Sequence, residues 1–247
     1  IYQWAVDILY PDGRVIVIRQ GPAAGYKWKR YRSHQAWMAI GAYEPPVANM
    51  IQSLLKPGDV FFDVGANAGY YVLVASRSVG LDGKVVAFEP VPFNAQVIAE
   101  QVRLNHLEAR CRIEPVALAD TCGSLPFVVQ LRNANSHLVD IDAPNVTVDP
   151  HKGQVIEVET LTLDHYVEKT GLVPSLVKMD VEGAEVAALN GAKKLLHSAH
   201  NPIVLISTHS QELDRGVKEI LQEAGYALVN LPGFEQMVYG RPARLAI

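Results

Sequence analysis

Apolar residues along this chain follow two periods. Short apolar runs at Asp59 to Val64 (DVFFDV), Lys84 to Glu89 (KVVAFE), Ser175 to Asp180 (SLVKMD) and Pro202 to Ser207 (PIVLIS) alternate with segments whose apolar positions recur at helical spacing. Those segments run from Tyr71 to Val79, Phe93 to Asn105, Glu185 to Leu196 and Glu212 to Ala224. Apolar strands alternating with such helices predict an α/β fold whose parallel sheet is covered on both faces. The residues before this alternation behave differently. QWAVDILY and RVIVIRQ, on either side of the turn Pro11-Asp12-Gly13, predict a β-hairpin, and Pro45-Pro46 opens a predicted helix that Pro57-Gly58 ends. The expected organisation is an N-terminal extension over residues 1–57, capping substrate or an oligomer contact, and a main domain over residues 58–247. Two further runs, SLPFVVQL and QVIEVETL, flank a polar segment without a period, which is read as an insertion at about 124–159 near the active face. YALVNL and residues 237–247 predict a closing strand pair.

Composition narrows the function classes. Of 247 residues, 49% are hydrophobic and 19% charged, and a net charge of −4 supplies no general positive field for nucleic acid or an anionic membrane. The longest apolar stretches stay below the ~18 consecutive residues of a spanning helix. Only Cys111 and Cys122 occur, without CxxC spacing, and no basic-then-apolar leader opens the sequence, so a reducing cytoplasm is the expected location. The Asn145-Val146-Thr147 match to a glycosylation sequon is read as chance.

The turn after the first sheet strand is the most informative segment. Asp63-Val64-Gly65-Ala66-Asn67-Ala68-Gly69 sets an acid and two spaced glycines where a buried strand passes into a helix, which is a cofactor site by geometry. Gly65 and Gly69 permit positive φ and close approach of a ligand to the backbone. Asn67 and Tyr70 replace the second and third glycines of GxGxxG. Asp63 would repel a pyrophosphate and attract a cationic ligand, so charge favours S-adenosylmethionine over NAD. Glu89 ends the next strand, where a carboxylate can accept hydrogen bonds from both ribose hydroxyls.

DVGANAG at Asp63 to Gly69, FEPVPFN at Phe88 to Asn94, VALAD at Val116 to Asp120 and KMDVEGAE at Lys178 to Glu185 stand in one order, preceded by GAYEPP and LKPGD. In these motifs the chain resembles the FkbM family of S-adenosylmethionine-dependent methyltransferases, over roughly Gly41 to Asn230. The resemblance implies a Rossmann-like class I methyltransferase fold with a mostly parallel seven-stranded sheet. It also implies that Asp63, Gly65, Ala66, Asn67 and Gly69 form the methionine-side loop, that Glu89 and Pro90 meet the ribose, and that the Ala119-Asp120 turn borders the adenine. The chain departs from the resemblance at Ser207-Thr208-His209, where family members often carry a Glu two residues before the His.

The acceptor side is read from strand ends. Asp180 follows SLVKMD and His209 follows PIVLIST, both at carboxyl edges where open α/β sheets bind ligands, so they are candidates to handle the acceptor, with Asp180 also bordering the cofactor. His137, inside the insertion, is the next candidate base. Glu182 and Glu185 are read as acids at a helix N-terminus, Glu185 in particular through the dipole, and Lys178 is an anomalous cation inside a buried strand. Asp180 with His209 could ligate a divalent metal, but the sequence names no third ligand, so the metal stays unassigned. The run Lys27-Trp28-Lys29-Arg30-Tyr31-Arg32 is read as a solvated segment, with gripping the acceptor as its alternative role. These residues point to O-methylation of a small-molecule hydroxyl, on a sugar or secondary metabolite. An NAD-dependent dehydrogenase and a non-catalytic cofactor-binding module are the alternatives.

Overall fold

A computed structural model of the chain describes residues 11–130, 137–138, 153–229 and 236–243. Its centre is a seven-stranded sheet of β3 (Val60–Val64), β4 (Lys84–Phe88), β5 (Cys111–Glu114), β10 (Leu176–Met179), β11 (Ile203–Ser207), β12 (Tyr226–Val229) and β13 (Met237–Pro242). Their spatial order is β12-β13-β11-β10-β3-β4-β5. The pairs from β11 across to β5 are parallel, and β13 runs antiparallel between β11 and β12. The apolar runs became strands because both of their faces are buried, so no polar alternation was required.

Each face of the sheet carries its own core. On one side Phe61, Val85, Ala87 and Leu176 pack with helices α2 (Pro45–Leu54), α3 (Tyr70–Ser78) and α4 (Pro92–Leu104) through Ile51, Leu73, Val97 and Ile98. On the other, Phe62, Phe88, Val177 and Ile206 pack with α5 (Leu163–Thr170), α6 (Glu185–Asn190), α7 (Lys193–Leu196) and α8 (Gln211–Glu223) through Leu163, Leu189, Leu196 and Val217. The single helix expected over Glu185 to Leu196 is broken. A Cβ at Gly191 would lie 2.1 Å from the Ala119 carbonyl oxygen, and the Asp164 carboxylate accepts the Lys194 and Leu195 amides at 2.9 Å, starting a new helix.

The expected strands around residues 124–159 pair with each other. β7 (Gly123–Gln130) and β9 (Gly153–Leu161) are antiparallel, with β6 (Ala117–Leu118) and β8 (His137–Leu138) at the two edges of this second sheet. Most of the polar segment between them, with its sequon, lies outside the described residues, as does the first expected strand, residues 3–10.

One N-terminal expectation needs a correction, while the expected hairpin has its first strand outside the described residues. Residues 14–20 do contain a strand, β1 (Val15–Val17), but its described partner is β2 (Lys27–Lys29), inside the basic and aromatic run. That run is not a solvated patch, because Trp28 and Arg30 are buried. Nor do its residues line the main cavity described below. The free side of β2 is met by side chains of α4 instead of another strand. The Asn105 and Gln101 carboxamides bond the backbone N–H and C=O of Lys27 and Lys29 at 2.7–3.0 Å. A short helix, α1 (Ala36–Ile40), then leads to α2.

Candidate functional site

The order of strands reverses between β3 and β10, since the chain builds outward from β3 to β5 and then returns to the other side. Such a switch point leaves a crevice at the carboxyl ends of the strands. Here it opens into a cavity of about 660 Å³ lined by Gly65, Ala66, Asn67, Glu89, Pro90, Asp180 and His209 among others. Residues before the sheet also line it. Gln35, Met38, Tyr43 and Glu44 come from α1 and the turn into α2, and sequence periodicity carried no sign of this, because their position depends on how the segment folds back.

The glycine-bearing turn is fixed by its neighbours. Gly65 has φ +77°, and a Cβ there would lie 2.0 Å from the Asp180 carbonyl oxygen, so the close approach it permits is of β10 to the turn. Gly69 precedes α3 at φ +83° and faces Ile98; it does not line the cavity. Asn67 adopts positive φ without being glycine, which aims its N–H at Glu89 Oε2, 2.8 Å away. Glu89 Oε1 accepts from the Val91 amide at 3.0 Å and from Asn94 Nδ2 at 3.2 Å. Burial pushes the Glu89 carboxyl up to about 7 even though the Val91 and Asn67 amides and Asn94 favour its ionised form. Three donors leave room for one further good hydrogen bond on a carboxylate with about four lone-pair positions.

Asp63 lies beneath this turn. It is completely buried and accepts no hydrogen bond at either oxygen among the described residues. Its neighbour in register on β10 is Lys178, whose Nζ lies 3.9 Å from Asp63 Oδ1, 3.4 Å from Asp180 Oδ2 and 4.9 Å from the centre of the Tyr71 ring. Burial pushes Asp63 up to about 6, with Lys178 opposing and Asp180 assisting. Burial alone would lower Lys178, yet Asp180, Asp63 and Glu44 hold it above its ordinary value. Glu44 also accepts the Tyr71 hydroxyl. The anomalous cation is therefore the hub of a buried charge network, which offsets the cost of taking it out of water.

At the far end of the cavity, His209 Nε2 lies 3.3 Å from both Asp180 Oδ1 and Glu182 Oε2, and Nδ1 lies 3.0 Å from Glu185 Oε1. Glu185 is fully buried and is also held by the Gly183 amide. Its main contact is thus with a histidine, where the sequence suggested a dipole acid. Asp180 and Glu185 push the imidazole up to about 10 against the opposing effect of burial. At neutral pH it carries a proton, the charge state of an electrostatic partner and not of a free base. For Asp180, burial would raise the carboxyl, but Lys178 and His209 hold it well below the usual carboxylate range. Asp180, Glu182 and His209 bring one ligand atom each within 4.8 Å of one another. The third metal-ligand candidate missing from the sequence is thus Glu182, which a helix N-terminal role had masked.

Among the expected site residues, Asp63 and Gly69 do not line this cavity, and the Ala119-Asp120 turn separates from it as well. Ala119 is buried under Gly191 and Asp120 is exposed, so neither lines it; the chain reaches its wall at Val116, Ala117 and Leu118 instead. The cause is β6, which pairs with β9 and carries the following turn away. The backbone of His137 pairs with Val128 in β8, while its side chain lies outside the described residues.

With this geometry in view, residues 63–228 match the family model of the Methyltransferase FkbM domain. The chain belongs to the FkbM methyltransferase family. FkbM proteins are S-adenosylmethionine-dependent methyltransferases, which places this one apart from the dehydrogenases. A curated relative, the hexuronic acid methyltransferase AglP of Haloferax volcanii, is 27% identical over 205 residues, covering 80% of this chain and 77% of that protein. Among solved structures, the methyltransferase FkbM of Methylobacillus flagellatus KT aligns with a TM-score of 0.53 at 14% identity over 83% of this chain. This chain spans 53% of the length of that protein. An rRNA-methylase fold from Clostridium thermocellum aligns with a TM-score of 0.50 at 12% identity, covering 79% and 91% of the two chains. Both structures share the fold described here, that of class I methyltransferases. Among the described residues no helix is long and apolar enough to cross a membrane.

Proposed function

We propose that this FkbM methyltransferase methylates a hydroxyl of a small molecule, with sugars as the favoured class. The observation that carries this is a single cavity joining two unlike walls. One wall is the turn and acid of β3 and β4; the other is the Asp180, Glu182 and His209 cluster with Glu44 and the Tyr43 and Tyr71 rings. Carboxylates that accept from several hydroxyls, beside aromatic faces that pack against C–H surfaces, suit a polyol. The likeness to a hexuronic acid methyltransferase supports the same class. The net charge of −4 supports a small-molecule acceptor over nucleic acid. A cytoplasmic location belongs to the same proposal and rests on the two free cysteines, one buried and one exposed.

The residues fit S-adenosylmethionine. Asp63 lies beneath the Gly65, Ala66 and Asn67 turn and outside the cavity lining, so it acts on the cationic methionine end through its charge and not by contact. Glu89 and Pro90 meet the ribose, with the remaining acceptor capacity of Glu89 turned to a hydroxyl. Ala117 and Leu118 take the adenine edge in place of Ala119 and Asp120. When bound, S-adenosylmethionine supplies an electrophilic methyl group on a sulfonium. Asp180, paired with His209 through Oδ1 and with Lys178 through Oδ2, accepts a hydrogen bond from the acceptor hydroxyl, orients its oxygen and takes the proton it loses on methylation. The His209 imidazolium, gripped by Glu185, keeps Asp180 ionised and placed. Positioning and electrostatics supply the rate, as suits an in-line displacement.

The test is a panel of sugars and other polyols incubated with radiolabelled S-adenosylmethionine and the purified chain. Asp180→Asn and His209→Ala should keep cofactor binding while lowering turnover by roughly 10²-fold. Full turnover in both would move acceptor handling to His137. Cofactor binding with no transfer to any acceptor would favour the non-catalytic module.

A further inference from the structure

The acid assigned to the ribose is held from outside the family-matched residues. His34 Nε2 lies 3.0 Å from Asn94 Oδ1, and Asn94 Nδ2 donates to Glu89 Oε1 at 3.2 Å. Ser33 Oγ lies 3.2 Å from His34 Nδ1. A hydroxyl donating to Nδ1 leaves the proton on Nε2, and Nε2–H then requires an acceptor, which sets Oδ1 toward the ring and Nδ2 toward the carboxylate. The carboxamide thus has one orientation in which both of its ends are satisfied.

The ring itself is clamped. His34 stacks on Phe93 with centroids 6.0 Å apart and planes 14° apart, and Tyr31 meets both rings edge-on at 6.3 and 5.7 Å. Tyr31 is in turn tied to Glu100 of α4, and Lys29 forms a 2.7 Å ion pair with the same carboxylate. Phe93 and Asn94 occupy the first turn of α4, so histidine, aromatic ring and carboxamide form one unit. Gln35, the next residue after His34, lines the cavity, as does Asn94.

We propose that His34 is a positioning residue for cofactor binding, acting through Asn94 to hold the Glu89 carboxylate in the orientation that accepts the ribose. This rests on the ribose role assigned to Glu89 above. A ligand-facing carboxylate with freedom to rotate loses orientation with each hydrogen bond removed, and outer partners of this kind commonly change affinity by ~10-fold or more. The other groups bonded to Glu89, the amides of Asn67 and Val91, are backbone and cannot be altered by side-chain exchange.

Two variants separate positioning from packing. His34→Phe keeps a ring to stack on Phe93 and loses the donor, whereas His34→Gln keeps a donor near the Nε2 position and loses the ring. By calorimetry with S-adenosylmethionine, H34F should bind about tenfold more weakly and H34Q within about twofold of wild type. N94A should bind as weakly as H34F, and the H34F/N94A double variant no more weakly than N94A. A purely structural role predicts the reverse order, with H34Q weakened and H34F spared, and that result overturns the proposal. Wild-type affinity in H34F, or fully additive losses in the double variant, overturns it equally. If H34F does not fold, H34A takes its place in the same cycle. E89A is the control for the underlying role: wild-type affinity there refutes the ribose assignment itself, whereas a weak E89A beside a wild-type H34F refutes only the His34 relay.

Discussion

Replacing Asp63 by Asn should stabilise the free protein and cripple its cofactor binding. The carboxylate is fully buried, accepts no hydrogen bond and has one cation at 3.9 Å. Its folded value of about 6 exceeds the unfolded carboxylate range by roughly two units, and at ~1.4 kcal/mol per unit this amounts to ~3 kcal/mol of strain on the charged form. Because the folded value is raised, the stability linked to this group is present at low pH and is lost as pH rises through about 6. Lys178 loses a neighbour in the variant but keeps Asp180 at 3.4 Å, so the net gain for Asp63→Asn at pH 7.5 should be ~1–3 kcal/mol. Urea denaturation of the ligand-free protein at pH 7.5 and pH 4.5 is the assay. The gain should appear at the higher pH and largely vanish at the lower. Calorimetry on the same sample should show cofactor affinity reduced at least ~10-fold, because a cation has lost its carboxylate. A variant less stable than wild type at pH 7.5, or one that binds the cofactor normally, would refute the reasoning.

Burial pushes Glu89 up to about 7, so cofactor affinity measured by calorimetry should fall as pH drops through that value. Glu89→Ala should cost ~2–4 kcal/mol of binding and remove that step, leaving only the one near pH 6 due to Asp63. Gly65→Ala places a Cβ 2.0 Å from the Asp180 carbonyl at a φ of +77°, and thermal unfolding should show a loss of ~3 kcal/mol or more. Turnover should persist in a chelator, since His209 Nε2, 3.3 Å from both Asp180 Oδ1 and Glu182 Oε2, already pairs the two carboxylates. Activity lost to the chelator and restored by Mg²⁺ would instead make Asp180, Glu182 and His209 metal ligands.

The sheet was legible because its strands are buried on both faces and so read as unbroken apolar runs, as in Val85 to Phe88 and Val204 to Ile206. The turn and acid were legible because their chemistry is local: Gly65, Asn67 and Glu89 meet across two neighbouring parallel strands. What depends on distant partners was not. Glu185 lies 24 positions from His209, and at the start of a helix an acid has an adequate local explanation in the dipole. The glycine at the break is required by the Ala119 carbonyl, 2.1 Å from where a Cβ would sit, which no helical period reports. Glu44 and Gln35 line the cavity on a segment that follows residues tied to α4, while the composition of KWKRYR favoured a solvated segment.

The pairing of β2 with two carboxamides bears on how this enzyme can be divided. Gln101 is completely buried with its amide committed to the backbone of Lys29. A module cut to the family-matched span of residues 63–228 would keep Gln101 and Asn105 while discarding the strand they complete, so both carboxamides would lose their backbone partners. Chimeras that exchange this span between relatives would join one protein's α4 to another's β2. A graft that preserves this pairing needs its upstream junction before Val15, so that strand and helix travel as one inheritance.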